Sequence, residues 1–409
     1  MKTNRVALVC GVLVAVTAYV LIGTYRIDLD VYRIGAQALL EGRDLYGPIP
    51  ATRDGLTLPF TYPPAAAILF VPLTLVPFAV ASAGLTVVSI ASLGGALALA
   101  RARLDPAAGE RPPFLLLLLV ALLLEPVRST LGYGQINLIL MALVCADLLP
   151  RSTRWPRGML IGLAASIKLT PAGFLLALLV LRQWRAAATA VVTFLAVTGA
   201  AWLIAPDDSQ QYWTKTLWDP GRIGGATYAG NQSLKATVLR ADLAPELSQV
   251  LHVVAVLACL ILAALAMRRA ASQDQHALVM GLNALLILLV SPVSWTHHWV
   301  WLTILLLCLG HDGRRRPRWR LVAGTGLALA LTSPMKWLPR EHDHELQWAP
   351  WQMILGNSYV LYGALVIVAV LTIKATASPP RAARQTDSGM RLGAQPPALL
   401  VADVPSRGA

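Results

Sequence analysis

Charge is scarce in this chain. Only 13% of its 409 residues are Asp, Glu, Lys or Arg, against about 25% in soluble domains. Hydrophobic residues make up 56%, and the mean hydropathy is +0.61. That composition excludes an ordinary soluble domain and reads as an integral membrane protein. Cysteine is also sparse. Cys10, Cys145, Cys259 and Cys308 all fall in apolar runs without CxxC spacing, so neither a disulfide framework nor a zinc site is supported. A Walker loop is missing, and GRIGG (221–225) is too weak for a nucleotide loop. Neither a nucleotide-driven enzyme nor an ATPase is therefore expected. No soluble-sized domain interrupts the apolar runs, and no internal repeat of the transporter kind is visible.

What is present is a series of apolar runs. A bilayer-crossing helix needs about 20 apolar residues, fewer where its ends snorkel. Such runs occur near 5–23, 83–100, 113–124, 136–149, 186–204, 246–267, 276–290, 298–310, 320–334 and 357–375. The stretch 5–23 shows no small-x-small cleavage site before Asp28, so it reads as an uncleaved first helix. Residues 158–181 form two shorter apolar stretches that meet at Lys168-Leu169-Thr170-Pro171. Proline there predicts a break with Lys168 at the tip. Counting that pair as two gives about twelve spans. The proline-rich 63–82 reads as re-entrant or interfacial. The expected architecture is thus all-α and polytopic: a membrane domain over 1–377 and a disordered tail over 378–409.

Basic residues set the orientation. Loops around 101–111, 150–157, 182–185, 268–269 and 314–320, with both termini, carry 22 of the 34 Lys and Arg but 7 of the 21 Asp and Glu. Both termini are then cytoplasmic, and the loops 24–62, 125–135, 206–245, 291–297 and 335–356 are external. The net charge of +13 reflects topology and anionic lipid, not nucleic acid.

Most of the chain's unexplained polarity sits in those external loops. Asp28 and Asp30 open the first, in DLDVY, beside Arg26, Tyr32 and Arg33. Spaced by two, they share a face only in extended chain and point apart on a helix. Either is a solvated loop carboxylate or, with those neighbours holding it ionised, a base for a sugar hydroxyl. EPVRSTLGYGQIN (125–137) reads as a short turn. Arg128 there suits a phosphate or a salt bridge to Glu125, and Gln135 and Asn137 suit sugar hydroxyls. Lys168 must be paired, must serve an anion, or must snorkel. SPVSWTHHW (291–299) carries His297 and His298. Adjacent histidines make a poor pair of ligands for one metal, and nothing nearby completes a set. Protonating or hydrogen-bonding a leaving phosphate suits them better. In GNQS (230–233), Asn231 and Gln232 are candidates for a sugar acceptor, as is Arg222 upstream. The stretch 339–348, with His342 and His344, reads as hydrophilic surface.

Taken together, DLDVY, LLEGRDLYGP, FTYPP, EPVRSTLGYGQIN, SIKLTP, GNQS and SPVSWTHHW, in that order over residues 28–299, resemble the actinobacterial polyprenol-phosphate-mannose-dependent alpha-(1→2)-mannosyltransferases. These are integral-membrane enzymes of the GT-C class, and the phosphatidylinositol-mannoside enzymes look most similar. The resemblance implies a GT-C fold and a periplasm-facing, inverting transfer that needs neither metal nor nucleotide. The implied partners are a polyprenol-phosphate-mannose donor and a mannosylated phosphatidylinositol or lipoglycan acceptor. It implies that Asp28 takes the proton of the acceptor 2-hydroxyl, with Asp30 beside it. Arg128, Lys168 and His297 or His298 would then offset charge on the departing phosphate. FTYPP, with Tyr62, would line a groove for the prenyl chain. Two readings stay open beside this one: a related transferase of arabinofuranose or glucose, and a secondary transporter that couples ions through Asp28 or Lys168.

Overall fold

The computed structural model describes Gly11 and residues 26–104, 113–313, 316–340 and 342–373. The expected span 5–23 (Gly11 apart) and the expected tail 378–409 lie outside the described residues. Every regular element described is an α- or 3-10 helix, and the one isolated bridge joins Asn231 to Trp295.

Among the described residues, three helices are long and apolar enough to cross a bilayer: Phe78–Arg103, Trp184–Ile204 and Pro245–Ala271. Two bent pairs, each turning by 71°, raise the number to five if each counts as one span. Other runs form shorter apolar helices, among them Pro64–Thr74, Asn137–Leu148 and His276–Val290. At 1.5 Å per residue, 12-residue Asn137–Leu148 covers only about 18 Å of a hydrocarbon core about 30 Å thick.

The long helices turn large apolar residues outward and small ones inward. Val192, Leu195 and Leu203 are exposed on Trp184–Ile204, while Ala186, Ala187 and Ala190 are buried. Pro245–Ala271 exposes Val250, Val254 and Ile261 and buries Ala263, Ala266 and Ala270. That pattern fits lipid outside and close helix packing inside. His276–Val290 is apolar all round and buried along nearly its whole length, so it forms the centre.

Breaks in the apolar runs position the polar groups. The stretch 125–135, read as a turn, is instead the helix Glu125–Tyr133, which starts immediately after Phe114–Leu123 with Leu124 extended between them. Pro126 at the second position explains the restart, since a helix tolerates proline in its first turn. The expected break at Lys168 is present. Helix Met159–Ile167 ends there in extended backbone (φ −145°, ψ 126°), and a 3-10 turn, Thr170–Phe174, follows. The segment 63–82 divides into Pro64–Thr74 and the start of Phe78–Arg103.

Lys168 is held in place by close helix packing behind it. A Cβ on Gly162 would lie 2.3 Å from the Ala190 carbonyl oxygen, and one on Gly158 (φ +98°) 1.9 Å from that of Ala186. Only hydrogen at these positions lets Met159–Ile167 approach Trp184–Ile204 so closely. Gly162→Ala is therefore expected to lower the thermal unfolding midpoint in detergent, at a cost of about 1–3 kcal/mol. Gly199→Ala, on the same long helix with no atom within 4 Å of the added carbon, is expected not to. Equal midpoints for the two variants would contradict this packing account.

Candidate active site

Helix Ile27–Leu40 carries Asp28 in its first turn, where the exposed backbone N–H groups favour a carboxylate. The helical register separates the two aspartates, as two residues amount to about 200° of rotation. Asp28 lines a cavity of about 960 Å³. Asp30 points away from it. The Asp30 Oδ2 accepts from the backbone N–H of Arg53 at 2.8 Å, and the Arg53 Nε lies 3.7 Å from Oδ1. Asp30, expected beside the base, therefore anchors the loop 41–63. The neighbouring arginines also do other work. Arg33 donates to the carbonyls of Leu73 and Val76, and the Arg26 Nε donates to Ser82 at 3.1 Å.

The partners of Asp28 come from elsewhere in the chain. Helix Glu125–Tyr133 stops at Gly134, whose φ of +71° is left-handed. A Cβ there would meet Leu29 at 2.9 Å, so glycine alone fits both the turn and the contact. The next residue, Gln135, accepts through Oε1 from the hydroxyls of Tyr32 (2.9 Å) and Tyr62 (3.0 Å). With the oxygen engaged by two donors, the amide nitrogen is left to donate to the Asp28 carboxylate. Burial pushes the Asp28 carboxyl up to about 6, against the opposing pull of the Lys168 ammonium and the Gln135 hydrogen bond. The tyrosines are held in turn by stacking: Tyr32 lies on Phe70 with centroids 4.2 Å apart.

Lys168 faces the same cavity. Its Nζ donates to the Asn137 Oδ1 at 3.0 Å, lies 3.4 Å from the His298 Nε2, and sits 5.4 Å from the centroid of the Tyr62 ring. Asn137 does not itself line this cavity but aligns what does. Its Nδ2 donates to the His297 carbonyl at 3.1 Å, and Thr130 donates to the same oxygen at 2.7 Å. Both histidines border the cavity, with rings nearly perpendicular (86°) and centroids 4.6 Å apart. His298 contacts Lys168, whereas the His297 ring packs edge-on against Tyr133.

Three other expected site residues do not line the cavity. Arg128 is not among the residues lining the cavity. Asn231 and Gln232 have their amides fully used in joining loops. The Asn231 Oδ1 accepts from the Ser294 N–H at 2.9 Å, while its Nδ2 donates to the Ala226 and Pro292 carbonyls. Gln232 donates to the carbonyls of Ala229 and Gly356 and accepts from the Tyr359 N–H. Both are completely buried. They build the cavity wall from behind.

Sequence reasoning passed over Lys336. It lines the cavity beside Arg340, and its Nζ lies 2.5 Å from the Glu125 Oε1. Glu125 is buried and thus pairs with Lys336 rather than with Arg128. It also accepts from Ser129, Thr296 and Tyr359. The only signal in the sequence was a carboxylate beside a proline. The stretch 339–348 is not simply hydrophilic surface, since Glu345 is buried and accepts from the Ala229 N–H at 2.8 Å. Among the described residues, no three His, Cys, Asp or Glu side chains gather as a metal site.

Comparison with known proteins then places the chain. The sequence model of glycosyltransferase family 87 matches residues 60–292. A polyprenol-phosphate-mannose-dependent alpha-(1-2)-phosphatidylinositol mannoside mannosyltransferase of Mycolicibacterium smegmatis is 42% identical over 390 residues, covering 89% of this chain and 87% of its own. The Mycobacterium tuberculosis protein of the same name is 39% identical, covering 91% and 92%. A phosphatidylinositol pentamannoside mannosyltransferase of Mycobacterium tuberculosis is 38% identical, covering 86% and 80%. No solved structure matches. Identity at this level along nearly the whole chain decides between the transferase and transporter readings, and the chain belongs to glycosyltransferase family 87.

Proposed function

We propose that this protein transfers mannose from polyprenol phosphate mannose to a mannoside hydroxyl of a phosphatidylinositol mannoside or related lipoglycan, forming an alpha-(1→2) bond by single displacement. The observation that carries the reading is that Asp28 and Lys168 face one cavity, the carboxylate bound by Gln135 and the ammonium by Asn137. The names of the relatives supply the donor and acceptor classes. Asp28, ionised, accepts the proton of the attacking 2-hydroxyl as the new C–O bond forms at the anomeric carbon. The bond to the phosphate oxygen breaks on the opposite face, turning a beta-linked donor into an alpha product. Lys168 and His298 stand where an anionic leaving group gains from fixed positive charge and N–H donors. Leu58, Pro59, Tyr62 and Pro63 provide an apolar wall for the first isoprene units. No step in this scheme calls for a metal or a nucleotide.

The same reading includes about twelve membrane crossings in a GT-C arrangement, with both termini cytoplasmic and the cavity on the periplasmic face. The distribution of arginine supports that orientation, as Arg101, Arg103, Arg268 and Arg269 close the two longest helices at one end.

Three measurements bear on the proposal. Purified enzyme given polyprenol phosphate mannose and a phosphatidylinositol mannoside is expected to yield a product whose new anomeric centre is alpha by NMR. A beta linkage, or use of an arabinofuranose or glucose donor in place of mannose, would overturn it. The pH profile should follow the base. Asp28 works only when ionised and its carboxyl is raised to about 6, so kcat/KM is expected to fall as the pH drops through that value. Lys168→Met is expected to lower kcat by about 10²–10³, with little change in the fold as judged by thermal unfolding. The topology has its own check in a Cys10→Ser background, because Cys145, Cys259 and Cys308 are buried and should not react. An impermeant maleimide should label Gln210→Cys in intact cells and Ala102→Cys only after permeabilisation; both positions are exposed. The reverse pattern would invert the assigned orientation.

A further inference from the structure

A second cavity, of about 300 Å³, shares no lining residue with the first. It lies among helices Phe78–Arg103, Phe114–Leu123, Leu302–Gly313 and Pro317–Thr332. Its walls are almost wholly apolar, with Leu97, Leu117, Leu306 and Leu327 prominent, and among the described residues Arg101 and His311 are the titratable ones that line it. Several of the wall leucines are only partly buried, so the space opens between helices. Arg101 follows Leu97 by four residues and His311 follows Leu307 by four. Each basic group therefore sits one turn beyond a leucine of the wall, on the same helix face.

Arg101 differs from its neighbour Arg103. Arg103 pairs with Asp274 at 3.3 Å. Arg101 has no acidic partner among the described residues, and its buried Nε makes no hydrogen bond. A guanidinium in such a place favours an anion that can accept several N–H groups. The leucine walls suit a hydrocarbon chain and are a poor place for water. Charge complementarity at one end and an apolar slot at the other together describe one kind of occupant.

We propose that this cavity is a lipid site that holds one acyl chain of an anionic glycerophospholipid from the bilayer, with Arg101 bound to its phosphate. The site is separate from the catalytic cavity, and its end carries the basic residues that attract acidic headgroups.

Native mass spectrometry of the full-length protein in detergent tests this, using dioleoyl-phosphatidylglycerol and dioleoyl-phosphatidylcholine as probes. Wild type is expected to retain one phosphatidylglycerol in preference to phosphatidylcholine. Arg101→Gln should bind it about tenfold more weakly, as the loss of a charge-assisted contact implies, and Arg101→Lys should recover part of the difference. Leu306→Trp, which fills the slot and leaves the charge in place, should also lose the lipid. Arg268→Gln, at an exposed basic helix end, should retain it. Equal retention of both lipids, equal loss in Arg268→Gln and Arg101→Gln, or full retention in Leu306→Trp would each overturn the proposal. So would finding polyprenyl phosphate in the slot, which would make it an extension of the donor site. Because the readout is lipid retention, it stands or falls apart from the transfer reaction.

Discussion

The constraint on which this site depends is the burial of opposite charges that face one cavity without closing into a pair of their own. Asp28 stands at the head of one helix and Lys168 at the broken end of another. Neither charge is stable alone in an apolar wall. Gln135 and Asn137 each engage one of them and keep them oriented. The amides are anchored in turn, Gln135 by two tyrosine hydroxyls and Asn137 by the backbone of the histidine segment. A carboxyl raised by burial is a better proton acceptor than one at its ordinary value, and it still ionises near neutrality.

Around that centre the other buried polar groups are structural. Asn231 and Gln232 join the loop before helix Leu234–Leu239 to the histidine segment and to the last helices. Glu125 gathers Lys336, Ser129, Thr296 and Tyr359 from four parts of the chain. At the far end, Asp147 accepts from the Trp155 indole at 2.8 Å and the Ile161 N–H at 2.9 Å, which fixes the start of the helix that leads to Lys168. Each network satisfies a polar group that the membrane interior would otherwise penalise. A rigid wall follows from that requirement.

The sequence revealed the centre better than its supports. Asp28, Lys168, Gln135 and the histidines were legible because a charge or amide at the mouth of an apolar run stands out. The split between Asp28 and Asp30 was foreseeable once the segment was helical. Asn231 and Gln232 were misplaced for a physical reason: an amide binds a sugar hydroxyl and a backbone carbonyl with the same groups, and only the fold says which is near. Arginine suits a phosphate by its chemistry alone, yet Arg128 is not among the residues that line the cavity. Lys336 lies 211 positions from Glu125, and no local pattern could announce their pairing. Apolar helices were legible by composition and their ends were not, because prolines and a leucine–glutamate junction break helices inside the apolar runs.

The most direct test of the account compares mannosyl transfer by wild type, Asp28→Asn and Asp30→Asn, with folding checked by thermal unfolding. Asparagine keeps the shape of the side chain and cannot take a proton. The account predicts that Asp28→Asn loses about 10²–10⁴ of kcat. It predicts that Asp30→Asn, which touches only Arg53 and its loop, keeps a kcat close to wild type. Full activity in Asp28→Asn, or a loss confined to Asp30→Asn, would contradict the assignment of the base.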